Sequence, residues 1–215
     1  LAGEWLSVDA QSLDAMRKMT ARDLMTSPIE SIEAETSVEN ASKRFLEKQI
    51  HRMLVVEKSK PIGVISVSDF VRDIAAQEKV SREKVGEVMS DVFLVCRDKT
   101  PIVSAARTMT QAGWRSVVVV DSGGKPRGVV TGSDLIRFAG SNVDDRVTVG
   151  DVMNRNLTTI DINTSLQDAA NLMIQNHHHR VLVVDEKHPE SFPLGVISSF
   201  DIVAEMARPG SVWQG

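Results

Sequence analysis

The sequence predicts an α+β fold of α/β-type repeats: three tandem β-α-β-β-α units. Three observations carry that prediction. Short stretches match one another at Asp23-Leu24-Met25, Glu87-Val88-Met89 and Asp151-Val152-Met153, with the methionines 64 residues apart in both intervals. A threonine stands eleven residues after each Met (Thr36, Thr100, Thr164), and an alanine sixteen residues after it (Ala41, Ala105, Ala169). Glycine-led strings close each copy: Gly63-Val64-Ile65-Ser66-Val67-Ser68-Asp69, Gly128-Val129-Val130-Thr131-Gly132-Ser133-Asp134 and Gly195-Val196-Ile197-Ser198-Ser199-Phe200-Asp201. Four landmarks held in register through three copies define a unit of about 64 residues. The expected division is an N-terminal arm at 1–20, repeats at 21–80, 84–140 and 148–207, and a tail at 208–215.

Each element of the unit has a local cause. A short strand follows the Met, at Ile29 to Ile32, Phe93 to Cys96 and Leu157 to Ile160. A helix is expected to start at the threonine. Thr36-Ser37-Val38-Glu39 and Thr164-Ser165-Leu166-Gln167 read as capping boxes, and Pro101 follows Thr100 at the first helical position. Val38, Ala41, Phe45 and Leu46 have helical spacing. A β-branched second strand follows, at Met53 to Val56, Val117 to Val120 and Val181 to Val184. It ends in an acidic turn, and Asp121-Ser122-Gly123-Gly124-Lys125-Pro126 is a strong hairpin signal. A third strand is expected at Ile62 to Ile65, Gly128 to Val130 and Leu194 to Ile197, then a helix at Phe70 to Ala75, Leu135 to Phe138 and Ile202 to Met206. One such unit has too small a core to be comfortable alone. Pairing of units through their sheets would solve this.

Composition excludes several classes. Hydrophobic residues are 42% and charged residues 25%, as in ordinary soluble domains. Aromatics are 4% with no tyrosine, which argues against a base-stacking platform. The net charge of -4 provides no basic field for nucleic acid. Apolar runs such as Val117 to Val120 are far too short to span a membrane, and nothing at the N-terminus reads as a signal peptide, so a cytoplasmic setting is expected. One cysteine allows no intrachain disulfide and no Cys-based zinc site. Cys96, seven residues after Met89, takes the place of Ile32 and Ile160 and reads as a core residue. Consecutive histidines at His177-His178-His179 do not share a helical face, so no metal site is expected there. No phosphate loop, nucleophile elbow or His-Glu-x-x-His pattern occurs, no catalytic residue is named, and an enzyme is the least supported class.

The unit resembles the cystathionine-β-synthase (CBS) domain family. The resemblance rests on the Asp-Leu-Met type opening, the Thr-led helix with its Ala, the Val-Val-(Asp/Glu) strand end and Gly-Val-Ile-Ser-x-x-Asp, over about 185 residues. It implies pseudo-twofold modules, paired sheet to sheet, with clefts for adenine nucleotides, acting as regulators rather than catalysts. It also implies the site residues. Asp69, Asp134 and Asp201 would take ribose hydroxyls. Ser66, Thr131 and Ser198 would bond phosphate oxygens. Arg52, Arg115 and Arg180 would hold phosphate, assisted by His51 and His179, with Trp114 standing where the other copies have His. Pro28 and Ile29, Val92 and Phe93, and Asn156 and Leu157 would line the adenine slots. The chemistry is consistent: Arg offers phosphate a permanent planar fork, and the strand-to-helix junction leaves N–H groups free.

Each feature also has a plainer reading. Ser/Thr-x-x-Asp is itself a capping-box variant, so Asp134 could merely cap a helix starting at Thr131. The arginines could be solvated surface residues. Residues 1 to 20, with Trp5, Leu6, Leu13, Met16 and Met19, suggest an amphipathic helix from near Ser12, and Trp213 is expected to fold back on the surface. Three units leave one unpaired. A fourth copy upstream, a second chain, or another domain would cover it. The start at Leu1 favours the first, with copies two and three forming one module and copy one exposing an apolar sheet that drives dimerisation. If copies one and two pair instead, copy three carries that face. The expected function is regulatory sensing of AMP, ADP or ATP for an unknown effector protein or catalytic domain. S-adenosylmethionine sensing and ligand-independent dimerisation or scaffolding are the alternatives.

Overall fold

The computed structural model describes residues 20–76, 83–139, 146–188 and 191–209. The expected N-terminal helix, the tail with Trp213 and most of both inter-repeat linkers lie outside these residues.

Each repeat begins with a single helical turn and a three-stranded sheet. In repeat 1 the order is α1 (Ala21–Leu24), β1 (Ser31–Glu33), α2 (Val38–Lys48), β2 (Arg52–Glu57), β3 (Lys60–Ser66) and α3 (Val67–Ala76). Repeat 2 follows with α4 (Val85–Val88), β4 (Val95–Arg97), α5 (Ile102–Ala112), β5 (Ser116–Val120), β6 (Pro126–Thr131) and α6 (Gly132–Ala139). Repeat 3 has α7 (Val149–Val152), β7 (Thr159–Asp161), α8 (Leu166–Gln175), β8 (Arg180–Val184), β9 (Gly195–Ser198) and α9 (Ser199–Ala207). The first two strands of every sheet are parallel, because a helix carries the chain across, and a hairpin makes the third antiparallel.

The predicted elements are all present, with shifted edges. The first strands start about two residues late. The helices α2 and α8 are capped by Ser37 and Ser165, whose side chains accept from Asn40 and Asp168 N–H, rather than by the threonines. Pro101 itself occupies the cap of α5. The threonine closes a turn one residue earlier: Thr100 N–H donates to Arg97 O, and Arg97 N–H donates to Thr100 Oγ1. In the repeat 2 hairpin, Asp121 Oδ1 accepts from both Gly123 and Lys125 N–H, and Gly124 takes φ 90°, a conformation natural to glycine.

The chain forms two compact units, and these do not follow the repeats one by one. The first unit holds Leu1–Met25, Val92–Leu157 and Lys187–Pro193. Its core is the interior of repeat 2: Ile102, Ala105, Ala106 and Met109 of α5, Val117 and Val119 of β5, Val130, Leu135, and Val149 and Met153 of the α7 segment.

The second unit joins repeats 1 and 3 around one core. Helix α3 lies on α8 and α9 lies on α2, so each helix layer of one repeat covers the other's. Phe45, Phe70, Val71 and Ile74 from repeat 1 meet Ala169, Met173, Ile202, Val203 and Met206 from repeat 3, all buried. Phe45 and Phe70 contact edge to face, with centroids 5.5 Å apart. The sequence reading placed pairing at the sheets and did not combine repeats 1 and 3. The helices join them through apolar stripes: Val67, Phe70, Val71 and Ile74 on α3, and Ile202, Val203 and Met206 on α9.

The short linker helices cross over. Helix α4, which leads into repeat 2, docks on repeat 3: Val85 N–H donates to Thr164 O, Gly86 N–H to Ile162 O, and Ser90 forms an antiparallel bridge with Val196. Helix α7, which leads into repeat 3, docks in the same way on repeat 2: Val149 N–H donates to Thr100 O, Gly150 N–H to Asp98 O, and Asn154 bridges Val129.

Candidate ligand-binding site

The predicted site residues sit where each third strand turns into a helix. Their first structural role is capping. Asp69 Oδ2 accepts from Ser66 N–H and Oγ at 2.8 and 2.6 Å. Asp134 does the same with Thr131 at 2.8 and 2.7 Å, and Asp201 with Ser198 at 2.7 and 2.6 Å. The linker helices have the same geometry at Thr20 with Asp23 and Thr148 with Asp151, so the pattern alone does not mark a ligand site. In each Asp the Oδ2 atom is committed to the cap, and Oδ1 takes no part in it.

The three carboxylates are not equivalent. Partial burial pushes Asp69 up, but hydrogen bonds from Ser66 and Arg72 outweigh it and hold the carboxyl below its usual value. Arg72 donates to Asp69 Oδ1 at 2.9 Å. Asp201 is more enclosed. Burial dominates and raises its pKa, against the pull of Ser198 and the charge of Arg180.

The register of the sheets corrects the predicted basic positions. Arg52 pairs with Ser66 and Arg180 with Ser198, but Thr131 pairs with Ser116. The residue before each of these gives its carbonyl to the helix start: His51 O accepts from Val67 N–H, His179 O from Ser199 N–H, and Arg115 O from Gly132 N–H. Arg115 therefore takes the histidine position of repeat 2, Ser116 takes the arginine position, and Trp114 lies one residue outside the motif. Counting from the methionines shows the same thing, since His51, Arg115 and His179 each stand 26 residues after theirs.

The second unit brings the repeat 1 and repeat 3 sets together across a local two-fold. The His51 ring lies 4.9 Å from the Phe200 ring, and His179 Nδ1 lies 3.4 Å from Ser68 Oγ. Ser68 and Phe200 are equivalent residues, each just before the capping Asp, so every histidine reaches the other repeat's strand–helix junction. Sequence reasoning missed Ser68 and Phe200. Their place inside Ser-x-x-Asp, at the variable position, was the available signal.

The candidate adenine slots differ. Ile29 is exposed, whereas Phe93 stacks on Phe192 at 5.9 Å. The histidine run serves separate ends: His177 takes a left-handed backbone, His178 hydrogen-bonds Thr158 at 2.7 Å, and His179 faces Ser68. No metal-binding cluster occurs among the described residues. Burial raises the Cys96 thiol to about 11, which keeps it protonated and unreactive. No described helix is long and apolar enough to cross a membrane.

A fold of this repeat type, with its strand–helix junctions, is that of a CBS-domain protein. The family description "CBS domain" matches residues 21–76, 85–141 and 149–208, and the chain belongs to that family. An uncharacterized protein of Methanocaldococcus jannaschii is 29% identical over 192 residues, covering 87% of this chain and 44% of its own length. A second, from Methanopyrus kandleri, is 32% identical over 123 residues, covering 56% of this chain and 60% of its own. The chain thus spans less than two thirds of these relatives. Among solved structures, a M. jannaschii protein described as a candidate archaeal homolog of g-AMPK superposes with TM-score 0.78 at 22% identity, covering 90% of this chain and 72% of that one. A CBS domain pair solved with 5-methylthioadenosine and S-adenosyl-L-methionine has TM-score 0.51 at 22% identity, covering 59% and 95%. The structure of CBSX2 with AMP has TM-score 0.50 at 23% identity, covering 56% and 93%.

Proposed function

We propose that this chain is a regulatory module that binds an adenine nucleotide, AMP, ADP or ATP, and passes the bound state to a partner protein. The observation that carries the reading is the paired site of the second unit. There His51, Arg52, Ser66 and Asp69 lie across a local two-fold from His179, Arg180, Ser198 and Asp201, with His179 against Ser68 and His51 against Phe200. Two histidines and two arginines around hydroxyl-bearing strand ends suit phosphate oxygens. The Oδ1 edge of each Asp, which at Asp69 also accepts from Arg72, suits ribose hydroxyls, as acidic residues do in other nucleotide folds. The AMP and S-adenosylmethionine bound by the neighbours support an adenosine moiety, and the cations favour a phosphorylated one.

At the two equivalent positions repeat 2 has Arg115 in the histidine place and Ser116 in the arginine place, and is the weaker phosphate site. Ligand binding at the junction of repeats 1 and 3 would bias their packing and so the surface shown to an effector. Calorimetry with AMP, ADP, ATP and S-adenosylmethionine tests this. Saturable binding of a nucleotide, tighter than of S-adenosylmethionine, is expected. Absence of heat at millimolar ligand in folded protein overturns it.

A second reading, a ligand-independent assembly module acting as dimeriser or scaffold, draws on two observations. All three aspartates already serve caps, and Phe192 covers Phe93. The same titrations separate the two readings.

A further inference from the structure

The linker cleft of repeat 2 carries a charge that its counterpart in repeat 3 lacks. It lies wholly within the first compact unit, where α7 docks on the turn after β4 and on β6. The space there is an open cleft of about 200 Å³. Lys99 of the turn, Arg127 of β6 and Arg155 just after α7 line it, together with Asp98 and Asp151. A water molecule takes about 30 Å³ of the liquid, so the cleft has room for an anion of several heavy atoms.

The docking itself does not need the three cations. Repeat 3 receives α4 through the same backbone bonds, with Gly86 N–H on Ile162 O as Gly150 N–H is on Asp98 O. Counted from the threonines, glycines and methionines of the repeats, Lys99 corresponds to Asn163, Arg127 to Leu194 and Arg155 to Asp91. Asp151 corresponds to Glu87, Thr148 to Lys84 and Asp98 to Ile162. Repeat 2 thus sets three cations against two carboxylates, and repeat 3 sets one cation against two carboxylates. One backbone frame holds a net positive cleft in one repeat and a net negative one in the other. In repeat 1 the places of Lys99 and Arg127 are taken by Glu35 and Ile62.

Local structure keeps the cations available. Arg127 is the extra residue of a β-bulge: Val119 pairs with Gly128 and Val120 with Pro126, so Arg127 has no partner in the ladder. A bulge re-aims the side chain it carries. Neither the Lys99 ammonium nor the Arg127 guanidinium has a hydrogen-bond or ion-pair partner among the described residues. Arg155 Nη2 donates to Gly150 O at 2.7 Å, which anchors that guanidinium and leaves its other N–H groups to donate. The carboxylates are already engaged. Asp151 Oδ2 accepts from Thr148 N–H and Oγ1 at 2.9 and 2.7 Å, and Asp98 Oδ1 accepts from Lys99 N–H at 2.9 Å. A single exposed ion pair contributes little, but a phosphate group takes hydrogen bonds from all three cations at once.

We propose that this cleft is a second anion site, for a small phosphate-bearing ligand of orthophosphate to pyrophosphate size. Arg127 and Arg155 present planar forks to its oxygens, and Lys99 adds a point charge. Arg127 lies near the start of β6 and Thr131 at its end, so the site is separate from the strand–helix junctions and does not depend on nucleotide binding there. A bound anion ties α7 to the sheet of repeat 2.

Calorimetry on the 215-residue chain tests it, with pyrophosphate, inorganic phosphate and glycerol 3-phosphate as probes. Saturable binding of at least one probe is expected, and it should persist in an Arg52→Ala, Arg180→Ala chain. Lys99→Asn with Arg127→Leu, the residues repeat 3 accommodates at these places, should weaken it at least about tenfold and leave melting nearly unchanged. Lys99→Glu alone, the residue repeat 1 has there, should weaken it too. Lys58→Asn with Lys60→Asn removes the same charge from the repeat 1 hairpin and should leave the affinity within about twofold. Tighter binding of the inorganic anions assigns a free ion, and tighter binding of the ester assigns a phosphorylated metabolite. No saturable binding by folded protein at probe concentrations on the order of 10 mM overturns the proposal. So does binding that the cleft variants leave unchanged, or an equal loss in the Lys58, Lys60 variant, which marks a diffuse surface field.

Discussion

The second strand of repeat 3 is buried on both faces, whereas the outer face of the repeat 1 sheet is half-buried at Leu54 and Val56 and exposed at Ile62 and Val64. Val181, Val183 and Ile197 line the helix side of repeat 3, and Leu182 and Val184 on the opposite side are buried as well. In repeat 1, Met53 is buried on the helix side, while Ile62 and Val64 on the opposite side are exposed. The residues themselves barely differ, since the outer faces are aliphatic in both: Leu54, Val56, Ile62 and Val64 in repeat 1, and Leu182, Val184 and Val196 in repeat 3. Burial is therefore a property of what covers a face and not of its residues.

Substitutions at equivalent glycines break this comparison most sharply. Gly195→Leu must displace Ser90 O and Met89, and is expected to cost roughly 3 kcal/mol or more, read from denaturant unfolding. Gly63→Leu should change monomer stability by less than about 0.5 kcal/mol. Next in size are core truncations. Phe45→Ala should cost about 3–5 kcal/mol and Met173→Ala about 2–5 kcal/mol, and because the core is shared, each should lower a single transition spanning repeats 1 and 3. Val64→Ala, on the bare face, should be nearly silent in the monomer.

Smaller effects belong to the caps. Asp134→Ala and Asp201→Ala should each cost about 1 kcal/mol, measured by thermal melting, because each Asp closes a capping box. Loss of stability and loss of nucleotide affinity are both expected.

The smallest effect is on pH dependence, and it has opposite signs in the two repeats. Asp69 has a lowered pKa in the folded state, so its contribution is present above the unfolded value and lost as pH falls through the folded one. Asp201 has a raised pKa, so its contribution is present below the unfolded value and lost as pH rises through the folded one. From about pH 3 to 6, the stability of Asp69→Asn relative to wild type should therefore fall, and that of Asp201→Asn should rise. Parallel pH–melting curves for the two variants check this.

Much of the fold was legible because it repeats. The Met, Thr, Ala and Gly landmarks placed the three strands and two longer helices of each repeat, though not the single-turn linker helices, and a glycine-rich turn at Asp121 to Pro126 has a local mechanism. What escaped was set by contacts distant in sequence. The pairing of repeats 1 with 3 depends on helix faces such as Ile202-Val203 and Val71-Ile74, whose partners no local pattern names. The role of Gly128 and Gly195 lies in contacts with Met153 and Met89, which no local pattern names. Of the candidate site, the Ser/Thr-x-x-Asp junctions were readable. Ser68 and Phe200 were not, because they act across repeats. Arg115 was displaced by one position because the x-Arg dipeptide was followed rather than the distance from Met89.

The central claim is that the basic positions shared by repeats 1 and 3 hold a nucleotide phosphate. Calorimetric titration of AMP into the wild type and into an Arg52→Ala, Arg180→Ala double variant tests it most directly. The account predicts saturable binding by the wild type and affinity reduced at least about tenfold in the double variant, with the adenosine-only ligand little affected. Equal AMP affinity in both proteins, or none in a folded wild type, would contradict it.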